Sequence, residues 1–268
     1  MPDCSDLDVV CLSLEPWDDV WRRNQHVASH LLRLRPNLRI LFVGPAIDVT
    51  WSLRQGRLPP PSALRPIGPA GRLWTMAPRK WLPRKLWPHV DRSLMDQVLK
   101  AVAWLKLQHP VLWINDSTYA PLVTRTDWPS LYDVTDDWLL TRGNSRESER
   151  QRRNDSLLLR HGSEIVVCSP ALAESRGRHR SVHVITNGVD IERLRSLTER
   201  PADLPSGRVV LYQGTLVDGR LDLDLCAELC QSRSSDRQYP AQRQRARPGK
   251  TRPGSHRHHV APSPRSPG

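Results

Sequence analysis

Leu7-Asp-Val-Val-Cys-Leu-Ser-Leu14 and Arg39-Ile-Leu-Phe-Val43 are the two runs whose reading decides the fold. Each is short and almost wholly apolar, without the alternation of a strand that keeps one face in water. Each is closed by a chain breaker, Glu15-Pro16 and Gly44-Pro45. Strands buried on both faces read this way, and they belong to parallel sheets covered by helices. Between them, after Asp18, Val20–Leu34 reads as a helix. Val20, Val27, Leu31 and Leu34 fall near one face, with Arg22, Arg23 and Asn24 displaced from it. Strand, helix, strand in this order predicts an α/β protein with a Rossmann-like parallel sheet.

The same grammar continues outward. Asp91–Gln108 is helical by pattern, with Leu94, Val98, Leu99, Val102 and Leu105 on one side. Val111–Ile114, Leu131–Val134, Glu164–Cys168 and Val182–Ile185 read as strands, for a sheet of about six. Glu147–Arg160 reads as a polar-faced helix, and Ser169-Pro170 as a helix start. Residues 51–90, with eight prolines after position 58, read as an irregular excursion. A hinge-like stretch, Arg195–Gly207, precedes a further strand at Arg208–Tyr212 and a helix starting near Leu221. The expected organisation is a domain over 1–200, a short segment 207–230 and a tail 231–268.

Gln231–Gly268 is dominated by Arg, Pro, Ser, Gln, Gly and His and has almost nothing to bury, so it reads as disordered. Its composition is what a GC-rich coding region yields out of frame, which makes a frameshift product one reading and a basic arm the other. The formal charge of the chain is +12, and this tail holds nine Lys/Arg against one Asp. The tail thus carries +8 and the remaining 230 residues +4, which argues against sequence-specific nucleic-acid recognition.

Five cysteines lack zinc spacing, and Cys11 and Cys168 sit in apolar runs where a reduced thiol acts as a small hydrophobe. Only His256, His258 and His259 in the tail suggest stray metal binding, so no metal site is expected. Neither a secretory leader nor a run of about 20 apolar residues is visible, which reads as cytoplasmic. Arg79–Trp87 (RKWLPRKLW) mixes bases with Trp. It reads either as a loop packed through its Trp side chains or as a peripheral contact with the inner face of a membrane.

Ligands of open parallel sheets sit beyond the carboxyl ends of the strands. The polar groups there are Glu15, Trp17 and Asp18; Asn115 and Asp116; Asp136 and Asp137; Ser169; and Asn187, Gly188 and Asp190. Asp, Asn and Ser also favour turns and helix caps. Their recurrence at strand after strand suits a polyhydroxyl ligand. Neither a Walker loop, a G-x-G-x-x-G after the first strand, nor a G-x-S-x-G elbow is present.

Seven pieces in order resemble the family 4 retaining glycosyltransferases of two-domain GT-B architecture. They are EPWDDVWRRNQH at 15–26, KWLPR at 80–84, LWIND at 112–116, LYDVTDDW at 131–138, VVCSPALAESR at 166–176, VITNGVD at 184–190 and VVLYQGTL at 209–216. The resemblance implies transfer of a sugar from a nucleotide-sugar, a co-substrate and not a resident cofactor, to a glycan or lipid-linked acceptor. It implies an N-terminal acceptor domain and a C-terminal donor domain, of which 207–230 looks like a truncated start. On that basis Glu15, Trp17, Arg22, Asn24, Gln25, Asn115 and Asp116 are acceptor-binding candidates, and Asp136 and Asp137 catalytic ones. Asn187, Gly188, Asp190, Gly214 and Arg220 are the donor-binding candidates. Two departures stand out. No Glu follows Glu228, whereas the family holds its donor with a glutamate pair further on, and Asp136 stands near the position of the family's His. Impaired transfer is the expectation. The rival readings are a non-catalytic module that binds a glycan or lipid head group, and a nucleic-acid-associated protein acting through its tail.

Overall fold

The computed structural model describes residues 7–60, 63–68, 70–108, 110–137, 145–189, 191–195, 200, 202, 204, 206, 209, 211, 212 and 221–231. The chain divides into two units, Met1–Asp190 and Ile191–Gly268.

The first unit is built on β1 (Asp8–Leu12), whose five residues are all buried. Helix α1 (Arg23–Leu34) leads to β2 (Arg39–Val43), which pairs parallel with β1. A two-stranded parallel ribbon of β3 (Ile47–Asp48) and β6 (Arg79–Lys80) encloses α2 (Val49–Arg54), β4 (Arg65–Ile67) and β5 (Leu73–Met76). Helix α3 (Val90–Leu105) follows, then β7 (Val111–Ile114), a 3-10 turn at Ser117–Tyr119, α4 (Leu122–Arg125) and β8 (Ser130–Val134). Helix α5 (Ser145–His161), β9 (Glu164–Val167), α6 (Pro170–Gly177) and β10 (His183–Val184) complete it. The sheet runs β10-β9-β8-β7-β1-β2-β5-β4, and every pairing is parallel except β4 with β5. The α/β class and parallel sheet expected from the sequence are present, with eight strands instead of about six.

Period-two alternation of wholly buried strands gives the sheet two apolar faces. Val10 and Leu12 belong to the larger core, with Leu94, Val98 and Val102 of α3 and Leu158 of α5. Val9 and Cys11 face the smaller one, with Ala28 of α1, Leu38, Ile40 and Phe42. Cys11 is fully buried, and its thiol is held well above its usual range by burial first and then by the Asp133 carboxylate. It is therefore expected to resist alkylation in the native protein and to react only on unfolding. Mass spectrometry of iodoacetamide-treated native and urea-unfolded chain checks this.

Four expectations need correction. Helix α1 starts at Arg23, with Val20 62% and Leu34 74% exposed, and its buried residues are Asn24, Gln25 and Ala28. Leu31, as expected, packs against the smaller core with Ala28, but Gln25 and the Asn24 amide nitrogen, both hydrogen-bonded, share the inward face. The excursion over 51–90 is not irregular throughout. Leu73–Met76 joins the main sheet because the free edge of β2 offers it a full register, Ile40 opposite Leu73 to Val43 opposite Met76. Of the strand expected at Arg208–Tyr212, residues 209, 211 and 212 are described, and none lies in a strand. Helix α3 ends sooner than its pattern suggests because Lys106 takes a left-handed φ of 51°.

In the second unit the described elements are α7 (Ile191–Arg195) and α8 (Leu223–Gln231). Asp222 Oδ1 accepts from Leu225 N at 3.0 Å and starts α8 as a cap. The tail beyond residue 231 lies outside the described residues.

Candidate functional site

The order of the strands reverses between β1 and β7. β1 is followed in sequence by a neighbour on one side, and the chain then crosses to build β7 to β10 on the other. Such a switch point opens a crevice at the carboxyl ends of its two strands. Polar side chains gather there. Asn24, in the first turn of α1, donates through Nδ2 to Ser13 Oγ and to Asn115 Oδ1, both at 2.9 Å. Asn115 Oδ1 also accepts from Leu14 N at 3.3 Å. Asn115 Nδ2 donates to the carbonyl of Asp133 and to Thr135 Oγ1, both at 3.1 Å. This hub, in which Asn24, Asn115 and Ser13 are buried, joins the ends of β1, β7 and β8 to the start of α1.

A second cluster lies one strand further out. Asp133 is 2% exposed inside β8. Arg23 reaches it with two nitrogens, Nη2 to Oδ1 at 3.3 Å and Nε to Oδ2 at 3.4 Å, and Trp113 Nε1 donates to Oδ2 at 3.1 Å. The same guanidinium donates to the carbonyls of Ile185 and Thr186 and to Asn187 Oδ1 at 3.1–3.3 Å. Arg23 thus pins the exit of β10, where Asn187 and Gly188 are exposed, to β8.

The loop between β1 and α1 forms the rim. It passes Gly44 at ordinary van der Waals distance, with Pro16 Cα 3.4 Å from where a Cβ would stand. Arg22 pairs with Glu15 at 3.4 Å and Asp18 at 3.2 Å. Gln25 accepts from Arg22 N at 3.2 Å and donates to the Asp18 carbonyl at 2.8 Å, which locks the loop to the helix. Trp17 stands edge-on to Phe42 at 5.0 Å, Trp21 stands against Trp17 at 6.0 Å, and His26 against Trp21 at 5.2 Å. Trp17 is half-buried, and Trp21 presents its indole at 39% exposure.

The remaining candidates divide between site and scaffold. Asp116 caps the 3-10 turn by accepting from Thr118 N at 2.9 Å. Asp136 is exposed after β8. Asp137 accepts from Arg176 Nη2 at 3.1 Å, and Arg176 also lies 3.3 Å from Asp155 Oδ1 through Nε. That second contact is ionic and not a hydrogen bond, because the Nε proton finds no acceptor in line. Burial raises the Asp155 carboxyl above its usual range against the pull of Arg176, and Asp155 accepts from the buried Tyr132 hydroxyl at 2.9 Å. Ser169 caps α6 by accepting from Leu172 N at 3.3 Å, as its place before Pro170 suggested. Asp190, Gly214 and Arg220 lie outside the described residues. Among the described residues, no three His, Cys, Asp or Glu side chains are placed to hold a metal ion, and no helix is long and apolar enough to cross a membrane.

Arg23, Asp133, Ser13, Thr135 and Trp21 were not on the list of candidates. Asp133 carried a readable signal: a carboxylate inside an otherwise apolar strand requires a buried cation or donor.

No protein-family pattern and no curated protein sequence matches the chain. Among solved structures it is similar to a sucrose-phosphate synthase from Thermosynechococcus elongatus. The TM-score is 0.44 and the identity 13%, over 70% of this chain and 92% of that one.

Proposed function

We propose that residues 7–189 form the acceptor-side domain of a glycosyltransferase, which holds a glycan or lipid-linked acceptor at the carboxyl edge of the sheet. The observation that carries this reading is the polar hub at the switch point, with hydrogen-bonded amides below and a rim of Glu15, Asp18, Arg22 and Trp21 above. Sugars offer alternating hydroxyls and a C–H face. The rim offers carboxylates and a guanidinium for the first and an exposed indole for the second. The order of the seven sequence pieces adds the donor class, a nucleotide-sugar. In this reading Asn187 and Gly188 are donor-side groups of the first unit, and Asp190, Gly214 and Arg220 are donor-side candidates by the sequence resemblance alone.

Transfer itself is a matter of positioning: the acceptor hydroxyl must be held against the anomeric carbon while the leaving diphosphate is neutralised. In this reading Asp136, exposed after β8, orients an acceptor hydroxyl. Asp137 holds Arg176 and serves as scaffold. No glutamate pair stands in residues 209–268 to grip a donor. The chain by itself is therefore expected to bind acceptor and to turn over little nucleotide-sugar.

The test is a binding screen of the purified chain against oligosaccharides and lipid-linked sugars, alongside transfer assays with a nucleotide-sugar panel. Trp21→Ala is expected to weaken acceptor binding about threefold to tenfold, beyond the modest loss of Tm from its ring contacts with Trp17 and His26. Absence of any carbohydrate binding would sink the reading. Binding to a bare lipid head group in place of a sugar would favour the non-catalytic module.

A further inference from the structure

From Val49 to Val90 the chain holds eight Lys or Arg and not one Asp or Glu. The acids that bracket the stretch are both engaged by cations from within it. Lys80 Nζ lies 2.6 Å from Asp48 Oδ2, and Arg84 Nη2 lies 2.7 Å from Asp91 Oδ1. Arg54, Arg57, Arg65 and Lys85 remain exposed. Large apolar side chains stand out among them: Leu58 at 89%, Trp81 at 56% and Leu86 at 70% exposure, with Leu53 and Leu82 also exposed.

The fold brings these residues together. The β3–β6 ribbon sets Ile47 opposite Arg79 and Asp48 opposite Lys80, so α2 and the turn at 81–86 leave the ribbon side by side. The Thr50 hydroxyl donates to the Trp81 carbonyl and ties them. Leu53 and Arg54 lie one turn on from Thr50, on the same side of α2. Gly56, with φ of 65°, turns the chain so that Leu58 follows α2 directly. The backbone carbonyl of Pro83 accepts from Leu86 N and Trp87 N at 2.9–3.0 Å, which closes the second turn.

An exposed apolar patch ringed by charge of one sign marks a surface with a partner. Trp and Leu set among Lys and Arg match the headgroup layer of an anionic bilayer, where indoles sit at the interface and each base gains from the surface potential. We propose that α2, the Gly56–Pro60 turn and the Trp81–Leu86 turn form one docking face for an anionic lipid surface. The cations draw the chain to the membrane, and Leu58, Trp81, Leu82 and Leu86 insert at the acyl boundary. Polyanions alone would use the cations and leave the leucines idle. The inference is independent of the transferase reading, because it is read on lipid without sugar.

The experiment is vesicle sedimentation of the full chain with phosphatidylcholine alone and with added phosphatidylglycerol. Binding is expected only with the anionic lipid and is expected to persist in part at high salt, since insertion is not screened. The triple variant Leu58→Ser, Trp81→Ser, Leu86→Ser is expected to bind about tenfold or more weakly. Arg54→Glu with Arg57→Glu is expected to weaken binding about thirtyfold or more. Circular dichroism confirms that both variants fold, as substitutions at exposed positions should. The basic tail Gln231–Gly268 is unaltered in every variant and serves as an internal control. Undiminished binding of the triple variant would assign vesicle binding to the tail and overturn the proposal. Equal binding to neutral vesicles, or binding to single-stranded oligonucleotide with none to vesicles, would overturn it too.

Discussion

Replacing Arg176 by Met is expected to lower the stability of the first unit by about 3–5 kcal/mol, the cost of stranding a buried charge. Arg176 is 7% exposed at its side chain and lies between Asp137, 24% exposed, and Asp155, 8% exposed. Met fills much of the same volume, so the loss is electrostatic and not a cavity. In a unit of this size the loss corresponds to a fall in Tm of roughly 10 °C. The pH dependence separates this cause from packing. Burial already raises the Asp155 carboxyl, and Arg176 is the largest influence that lowers it. Without Arg176 its folded value rises further above the unfolded one. A raised carboxyl favours the folded state while protonated, and that advantage is lost as pH rises through the folded value. The variant's deficit should therefore be small at acid pH and grow from the ordinary carboxylate range upward. Adding Asp155→Asn, which keeps an acceptor for the Tyr132 hydroxyl, should recover much of it. A deficit flat with pH, unmoved by Asp155→Asn, would show that Arg176 acts through packing alone.

The scaffold was legible where strands were buried on both faces. Val9–Leu12, Arg39–Val43, Val111–Ile114 and Glu164–Val167 announce themselves by composition, and each has a paired strand on both sides in the sheet. Legibility failed where neighbours decided. Leu73–Met76 is four residues long, flanked by Gly71 and Pro78, and becomes a strand because β2 has an open edge. Helix α1 misled for a different reason. Its periodicity was sought in Val20, Val27, Leu31 and Leu34, of which Leu31 packs inward, but Asn24 and Gln25 are buried there too, held by hydrogen bonds from their amides. For the candidate site, the rule that ligands gather beyond strand ends led to Asn115, Asp116, Asp136 and Asn187. It passed over Asp133 and Arg23, because one lies within its strand and the other on a helix. They are 110 residues apart in sequence, and the parallel pairing of β1 with β7 and of β7 with β8 brings them together.

Asp133→Ala is expected to cost a comparable amount, about 3–5 kcal/mol, and to be felt two strands away. The carboxylate accepts from the Trp113 indole N–H at 3.1 Å and anchors Arg23, whose side chain is 16% exposed. Its removal leaves a guanidinium and an indole donor without their acceptor in a nearly dry setting. Arg23 also holds the carbonyls of Ile185 and Thr186 and the Asn187 amide oxygen, so its release should loosen the exit of β10. Amide hydrogen exchange at 185–188 is expected to quicken in Asp133→Ala and in Arg23→Met, while exchange within β1 tracks only the global loss. Arg23→Met should destabilise at least as much, since it strands a carboxylate that is 2% exposed. The double variant should cost less than the sum of the two by about 1–3 kcal/mol, as expected of direct contact partners. Additive costs would mean that Arg23 and Asp133 are held independently. The route from the switch point to Asn187 would then run through the backbone register and not through this ion pair. If the costs couple and exchange at 185–188 rises, the geometry of any ligand group near Asn187 depends on a residue of α1, which is how one helix can set both sides of the crevice.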